Sequence, residues 1–378
     1  MRRWGLAFLL AAAGSLFAKI TDFEGNPAVV LSNGKLEMTV LLSGSTIADI
    51  VLVDDPERFS PLWNAARAAR LSGGPAAKVD SAMGHFLCLD GFHAPSDEEH
   101  EAGYPFRGEA SGCRFEVIQS TKVGPVASFM MAAQLPLAQE FVVRTVRMVD
   151  GENVACIDTE IDSLLAIDRP ISWAEHSTIG PPFLSPGQTV VNMPAARCRV
   201  RDEKPGPAPG RLEPLKDFDW PLAPLRKGES ANLLEMPADA SYGPASCRID
   251  PAGSLGYVTA FRKDKRLLFG YVFRRSDFPW LMSWMHFSGN VQAARGIEFA
   301  TQPFDVSRRE SVDANRMFGV PTYRRLPAKG KVRARFLLFY VRVPDGFAAV
   351  ADIVQQNGAL EIKDTAGRSL VLAARLSL

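Results

Sequence analysis

Two short stretches carry the groups best suited to moving protons. The first is Trp173 to Leu184, WAEHSTIGPPFL, where His176 stands beside Glu175 and close to Trp173, ahead of an Ile-Gly-Pro-Pro turn. The chain has five histidines, and this one lies where a strand pattern gives way to a glycine–proline loop. Such junctions present catalytic and binding groups. An imidazole there can exchange a proton near neutral pH, or it can simply fix the loop by hydrogen bonding. The second stretch is Arg295 to Asp305, RGIEFATQPFD, which reads as a strand from Gly296 to Gln302. Side chains alternate across a strand, so Ile297 and Phe299 share one face while Glu298, Ala300 and Gln302 share the other. Bulky apolar neighbours would raise the pKa of Glu298 toward the range a general acid or base needs. The plainer reading is an ordinary edge carboxylate.

The elements that would position these groups are strands. Ala28 to Leu31 and Lys35 to Leu42 flank a Ser-Asn-Gly hairpin signal, and Ile47 to Val53 follows. Further strands are expected over Cys113–Gln119, Val126–Leu135, Phe141–Val149 and Val154–Ile161. In the third of these, Val142, Val146 and Met148 share a face that Arg144 interrupts. Leu255–Arg262 and Leu267–Phe273 form a hairpin across Lys263-Asp264-Lys265, and Val332–Val343 is a long strand. A helix is expected from about Asp345 to Gln356, with Asp345 as N-cap and Gly358 as stop, followed by a hairpin of 359–363 and 369–374. Residues 81–109 show neither strand nor helix periodicity and read as a long loop with aromatics, suited to a binding rim. That loop holds His85, His93 and His100 among six acids, but the spacing fits no metal-ligand pattern and the DEEHE run reads as a solvated face. Residues 202–244 form a proline-rich excursion whose Trp220 and Leu233-Leu234 suggest that it packs onto the body. Strands do not alternate with helices, which argues against a parallel α/β fold and for a large antiparallel sandwich.

Composition bounds the possibilities. With 378 residues, 47% hydrophobic and 22% charged, the chain has the make-up of a globular protein. A formal net charge of +1 gives no electrostatic footprint for nucleic acid. Arg2-Arg3, an apolar run to Ala13 and a small-residue end at Ala18 match a secretory signal peptide, with an uncleaved anchor as the alternative. Residues 19–378 would then be one exported domain, periplasmic or secreted. The five cysteines are widely spaced and form no metal motif; buried thiols are the default reading, with a Cys198–Cys247 bridge as an option. No GxSxG elbow, HExxH, P-loop or GxGxxG is present.

The order of these features resembles the aldose 1-epimerase, or galactose mutarotase-like, superfamily over most of residues 28–343. His176 in WAEHSTIGPPF matches that family's catalytic histidine, and Gly296 to Gln302 matches its glycine-led strand ending Glu-Thr-Gln. Phe106-Arg107-Gly108-Glu109 corresponds to an early loop where the family carries a second histidine. The resemblance implies an all-β fold, a large antiparallel β-supersandwich, here with the short C-terminal helix and hairpin. It also implies interconversion of sugar anomers without metal or organic cofactor. A carboxylate takes the anomeric hydroxyl proton while the His176 imidazolium protonates the ring oxygen. Two departures stand out. Anchored on Thr301-Gln302, the family glutamate falls on Ala300, with Glu298 about 6.6 Å earlier on the same face. Arg107 replaces a histidine and suits a carboxylate or phosphate, so a sugar acid joins neutral sugars as a ligand class.

The expected site is therefore His176 and Glu298 as catalytic pair, with Arg107, Trp173, Glu175, Gln302, Trp284 and Phe106 around the sugar. The aromatics would stack on its apolar face, although Trp284 reads equally as core. Two other readings stay open: a non-catalytic carbohydrate-binding protein, and a lyase or other polysaccharide-processing enzyme on a related sandwich.

Overall fold

The computed structural model describes residues 18–74, 83–92, 95–202, 210–236, 241–286 and 293–378. The signal peptide expected over residues 1–18 lies, apart from Ala18, outside the described residues. Two antiparallel sheets dominate. One has 11 strands, and at its centre His85–Leu89, Trp173–Ile179, Ala294–Ala300 and Trp280–His286 lie side by side. The other has 8, including Glu140–Val149, Val154–Ser163, Lys331–Arg342 and Leu267–Arg274. The fold is the expected all-β antiparallel architecture.

Alternation explains how the layers pack. In the Leu267–Arg274 strand, Leu267, Phe269, Tyr271 and Phe273 turn inward to the core between the sheets. Leu268 and Val272 turn outward, beneath a three-stranded C-terminal sheet of Val350–Gln356, Ala359–Asp364 and Ser369–Ala373. Phe299 of the larger sheet stacks on Phe273 of the smaller at 4.2 Å between ring centroids. Each such buried ring contributes about 1.5–3 kcal/mol.

Three expectations need correction. The helix expected over 345–356 is absent; Val350–Gln356 is a strand. Its register shifts between Val350 and Asp352, so a bulge puts Val350 and Ile353 three residues apart on the buried side, the spacing of a helix. Within 81–109, His85–Leu89 is a fully buried central strand. The DEEHE run is a short helix capped by Ser96, whose side chain and that of Glu99 satisfy each other's backbone N–H groups. The strand expected at Cys113 instead runs Glu116–Val123.

The excursion has its own short strands and buries Phe218, Ala223 and Leu233. Cys198 and Cys247, facing residues of adjacent strands, form a disulfide, while Cys88 and Cys156 are buried thiols and Cys113 is half-buried.

Candidate active site

The register that pairs Ala174 with Ala300 and Thr178 with Gly296 sets His176 opposite Glu298 on the outer face of the larger sheet. His176 Nε2 lies 3.3 Å from Glu298 Oε1. The histidine is in mid-strand rather than at the strand end, since pairing continues to Ile179. Phe86, opposite His176 on the other neighbour, stacks on the imidazole at 4.2 Å, and Phe92 meets it edge-on. Thr178 Oγ1 lies 3.4 Å from Nδ1.

Glu298 is held by a device that its own strand supplies. Trp284, on the adjacent strand, pairs with Gly296 and donates its indole N–H to Glu298 Oε1. The ring crosses directly over Gly296, where a Cβ would lie 2.1 Å from Nε1. Only a residue without a side chain allows the indole to reach the carboxylate. Burial raises the pKa of Glu298 and the indole hydrogen bond lowers it; Asp305 raises it and Arg107 lowers it, with a net rise to about 8. Trp284 is thus a site residue rather than core.

Two loops close the other side. Arg107 and Gly108 both have positive φ, 68° and 76°. A Cβ on Gly108 would come within 2.0 Å of the Leu89 carbonyl oxygen, and one on Gly91 within 2.8 Å of the Gly108 nitrogen. This backbone-to-backbone approach brings Arg107 and Phe92 to the same cavity. The cavity, about 180 Å³, is lined by Phe92, Phe106, Arg107, His176, Pro244, Met282, Trp284, Glu298 and Asp305. Pockets for drug-sized ligands are typically about 300–1,000 Å³, so this one suits a small ligand. Phe86, Cys88, Ala174 and Ala300 pack together on the same face of the sheet. Ala300 lies there beside Phe86, leaving Glu298 as the carboxylate that meets the histidine.

Three expected ligand contacts go to the interior instead. Glu175 is next to His176 in sequence and so points to the opposite face of the strand. It is fully buried between the sheets, where Arg144 grips both carboxylate oxygens at 3.1 and 2.9 Å. His85 Nε2 lies 2.7 Å from Oε2 and Trp173 Nε1 3.2 Å from Oε1. Burial alone would raise the pKa of Glu175; Arg144 and His85 overcome that and hold it at about 2. Burial keeps His85 below its ordinary value despite Glu175. A neutral ring then donates from Nε2 to Glu175 and accepts the Tyr271 hydroxyl at Nδ1, 3.1 Å away, while Tyr271 accepts from Ser177. Trp173 packs edge-on against Phe278 in the core. Gln302 is fully buried, its Oε1 accepting the Trp173 backbone N–H at 3.0 Å. The cavity therefore gathers His176, Glu298, Arg107, Trp284 and Phe106 and omits Trp173, Glu175 and Gln302.

Phe86, Phe92, Met282 and Asp305 are lining or floor residues that the sequence reading did not assign. Period-two alternation from His176 through paired strands finds the first and third; Asp305, tied to Arg201, carries no local signal. Of the histidines grouped in 81–109, His85 is in the core and His100 is on the surface helix, while His93 lies outside the described residues. Among the described residues, no group of three or more His, Cys, Asp or Glu could hold a metal ion. Likewise, no helix is long and apolar enough to cross a membrane.

No protein-family model matches the sequence, and no curated protein matches it. Solved structures do. A galactose mutarotase-like protein from Clostridium acetobutylicum aligns with a TM-score of 0.58 at 12% identity, over 87% of this chain and 99% of that one. One from Lactobacillus casei aligns at 0.55 and 14%, over 83% and 100%. The galactose mutarotase related enzyme of Lactobacillus acidophilus aligns at 0.55 and 10%, over 84% and 98%. At these identities the likeness is one of architecture: this chain has the galactose mutarotase-like fold.

Proposed function

We propose that the protein interconverts the anomers of a free sugar by acid–base ring opening. The observation that carries this reading is the contact between His176 Nε2 and Glu298 Oε1 at 3.3 Å, on one wall of a small cavity. The anomeric hydroxyl oxygen and the ring oxygen of a pyranose are bonded to the same carbon. One carboxylate and one imidazole in contact can therefore address both oxygens at once. Glu298 takes the hydroxyl proton and His176 gives one to the ring oxygen. The bond between the anomeric carbon and the ring oxygen breaks, the carbonyl turns, and closure returns both protons. Phe86 and Phe92 hold the imidazole plane, and the Trp284 hydrogen bond fixes the carboxylate. Export remains part of the proposal, supported by the leader-like start of the chain and by the Cys198–Cys247 disulfide, a bond typical of oxidising compartments.

The test is anomer exchange followed by NMR on freshly dissolved α-glucose, α-galactose and a uronic acid. Wild type should accelerate equilibration of at least one; His176→Asn and Glu298→Gln should each lose about 10²–10⁴ of it. No acceleration, combined with thermal stabilisation by a sugar, would favour the binding-protein alternative.

A further inference from the structure

The cavity holds one charge that the ring-opening chemistry does not use. The Arg107 guanidinium lies over the rings of Phe86 and Phe106, 4.8 and 4.9 Å from their centroids. No carboxylate of the described residues forms an ion pair with it. The acids lining the same cavity are already engaged. Asp305 is paired with Arg201, and Glu298 faces His176 and accepts from Trp284. With Glu298 pushed up to about 8, that carboxyl is mostly protonated at neutral pH and leaves Arg107 uncompensated. Contact with two aromatic rings limits how far the guanidinium can move and takes up none of the in-plane N–H donors of its fork. That fork matches the two oxygens of a carboxylate.

Building on the anomer-exchange reading, we propose that the substrate is a sugar acid, its carboxylate gripped by Arg107 while the anomeric carbon sits at His176 and Glu298. The small cavity favours a carboxylate attached directly to the ring over a phosphate on a longer arm. Arg107 then sets specificity, and the two phenylalanines keep the fork in register. Phe106, half exposed, is the rim of that grip.

The experiment compares D-galacturonate, D-galactose and D-galactose 6-phosphate in the NMR exchange assay, with wild type, Arg107→Gln and Arg107→Lys. Wild type should favour galacturonate over galactose at least tenfold in kcat/KM. Arg107→Gln should erase that preference, raising KM for galacturonate at least tenfold more than KM for galactose, and Arg107→Lys should keep part of it. Equal handling of acid and neutral sugar, or a preference that survives Arg107→Gln, overturns the proposal. A preference for the phosphate overturns the carboxylate assignment. If wild type accelerates none of the three, the ring-opening reading fails on its own, and calorimetry with the same ligands decides the acid site. Galacturonate at least tenfold tighter than galactose, and only with Arg107, supports it; anything else rejects it.

Discussion

Glu175 and Glu298 sit on neighbouring strands, are equally buried, and have opposite fates. Glu175 faces inward, where Arg144, His85 and Trp173 all donate to it and its pKa is held at about 2. Glu298 faces outward, where one indole donates to it and burial prevails, taking it to about 8. Depth does not separate them; the number and charge of the donors do. The inner acid is a permanent anion that ties the sheets together. The outer one can exchange its proton in the pH range where a catalyst works.

Breaking the inner arrangement should have the largest effect. Arg144→Met leaves the Glu175 carboxylate in the interior without its cation and should cost about 3–5 kcal/mol, read by urea unfolding at pH 7. Acid should weaken wild type through the same residue. The folded pKa of Glu175 is depressed, so its contribution is present above the ordinary value of 4.5 and is lost as pH falls through about 2.

The outer acid should respond with the opposite sign. Glu298→Gln should lower turnover by two to four decades while raising stability in alkaline buffer. The folded pKa of Glu298 is raised, so its protonated form supports folding below about 4.5, and that support disappears as pH rises through about 8. Melting curves of the variant and wild type should coincide near pH 4 and separate by several degrees at pH 9. The rising limb of turnover against pH in wild type should follow ionisation of Glu298, which burial raises to about 8, and a profile without that limb would remove Glu298 as the base.

Smaller changes sharpen the contrast. Gly296→Ala forces the Trp284 indole off the carboxylate and should cost about 1–3 kcal/mol together with a loss of activity. Gln302→Ala, which removes an inward-facing acceptor, should cost about 1 kcal/mol and leave KM untouched. A raised KM would return Gln302 to the ligand.

The same contrast explains what was legible in the sequence. Hairpin signals and alternation located most strands, and the alternation in Gly296–Ala300 put Glu298 and Ala300 on the site face. In Trp173–Ile179 every residue is buried, so no polar face distinguishes cavity from core. The sequence accordingly puts Glu175 and Trp173 beside the ligand, whereas both are buried between the sheets. Arg144 is the one trace of the inner face in the sequence: it interrupts an apolar face because its partner is Glu175, 31 residues away. His85–Leu89, also buried on both faces, gave no period at all. The C-terminal strand was hidden by its bulge, which copies helical spacing.

Trp173–Ile179 has both faces committed, the inner to Arg144, Tyr271 and His85 and the outer to Glu298 and Phe86. Shifting this strand by one residue would exchange Glu175 for His176, placing the imidazole in the ion-pair lattice and the carboxylate in the cavity. Descendants of this chain therefore cannot gain or lose a single codon between Trp173 and Ile179 without forfeiting fold and site together.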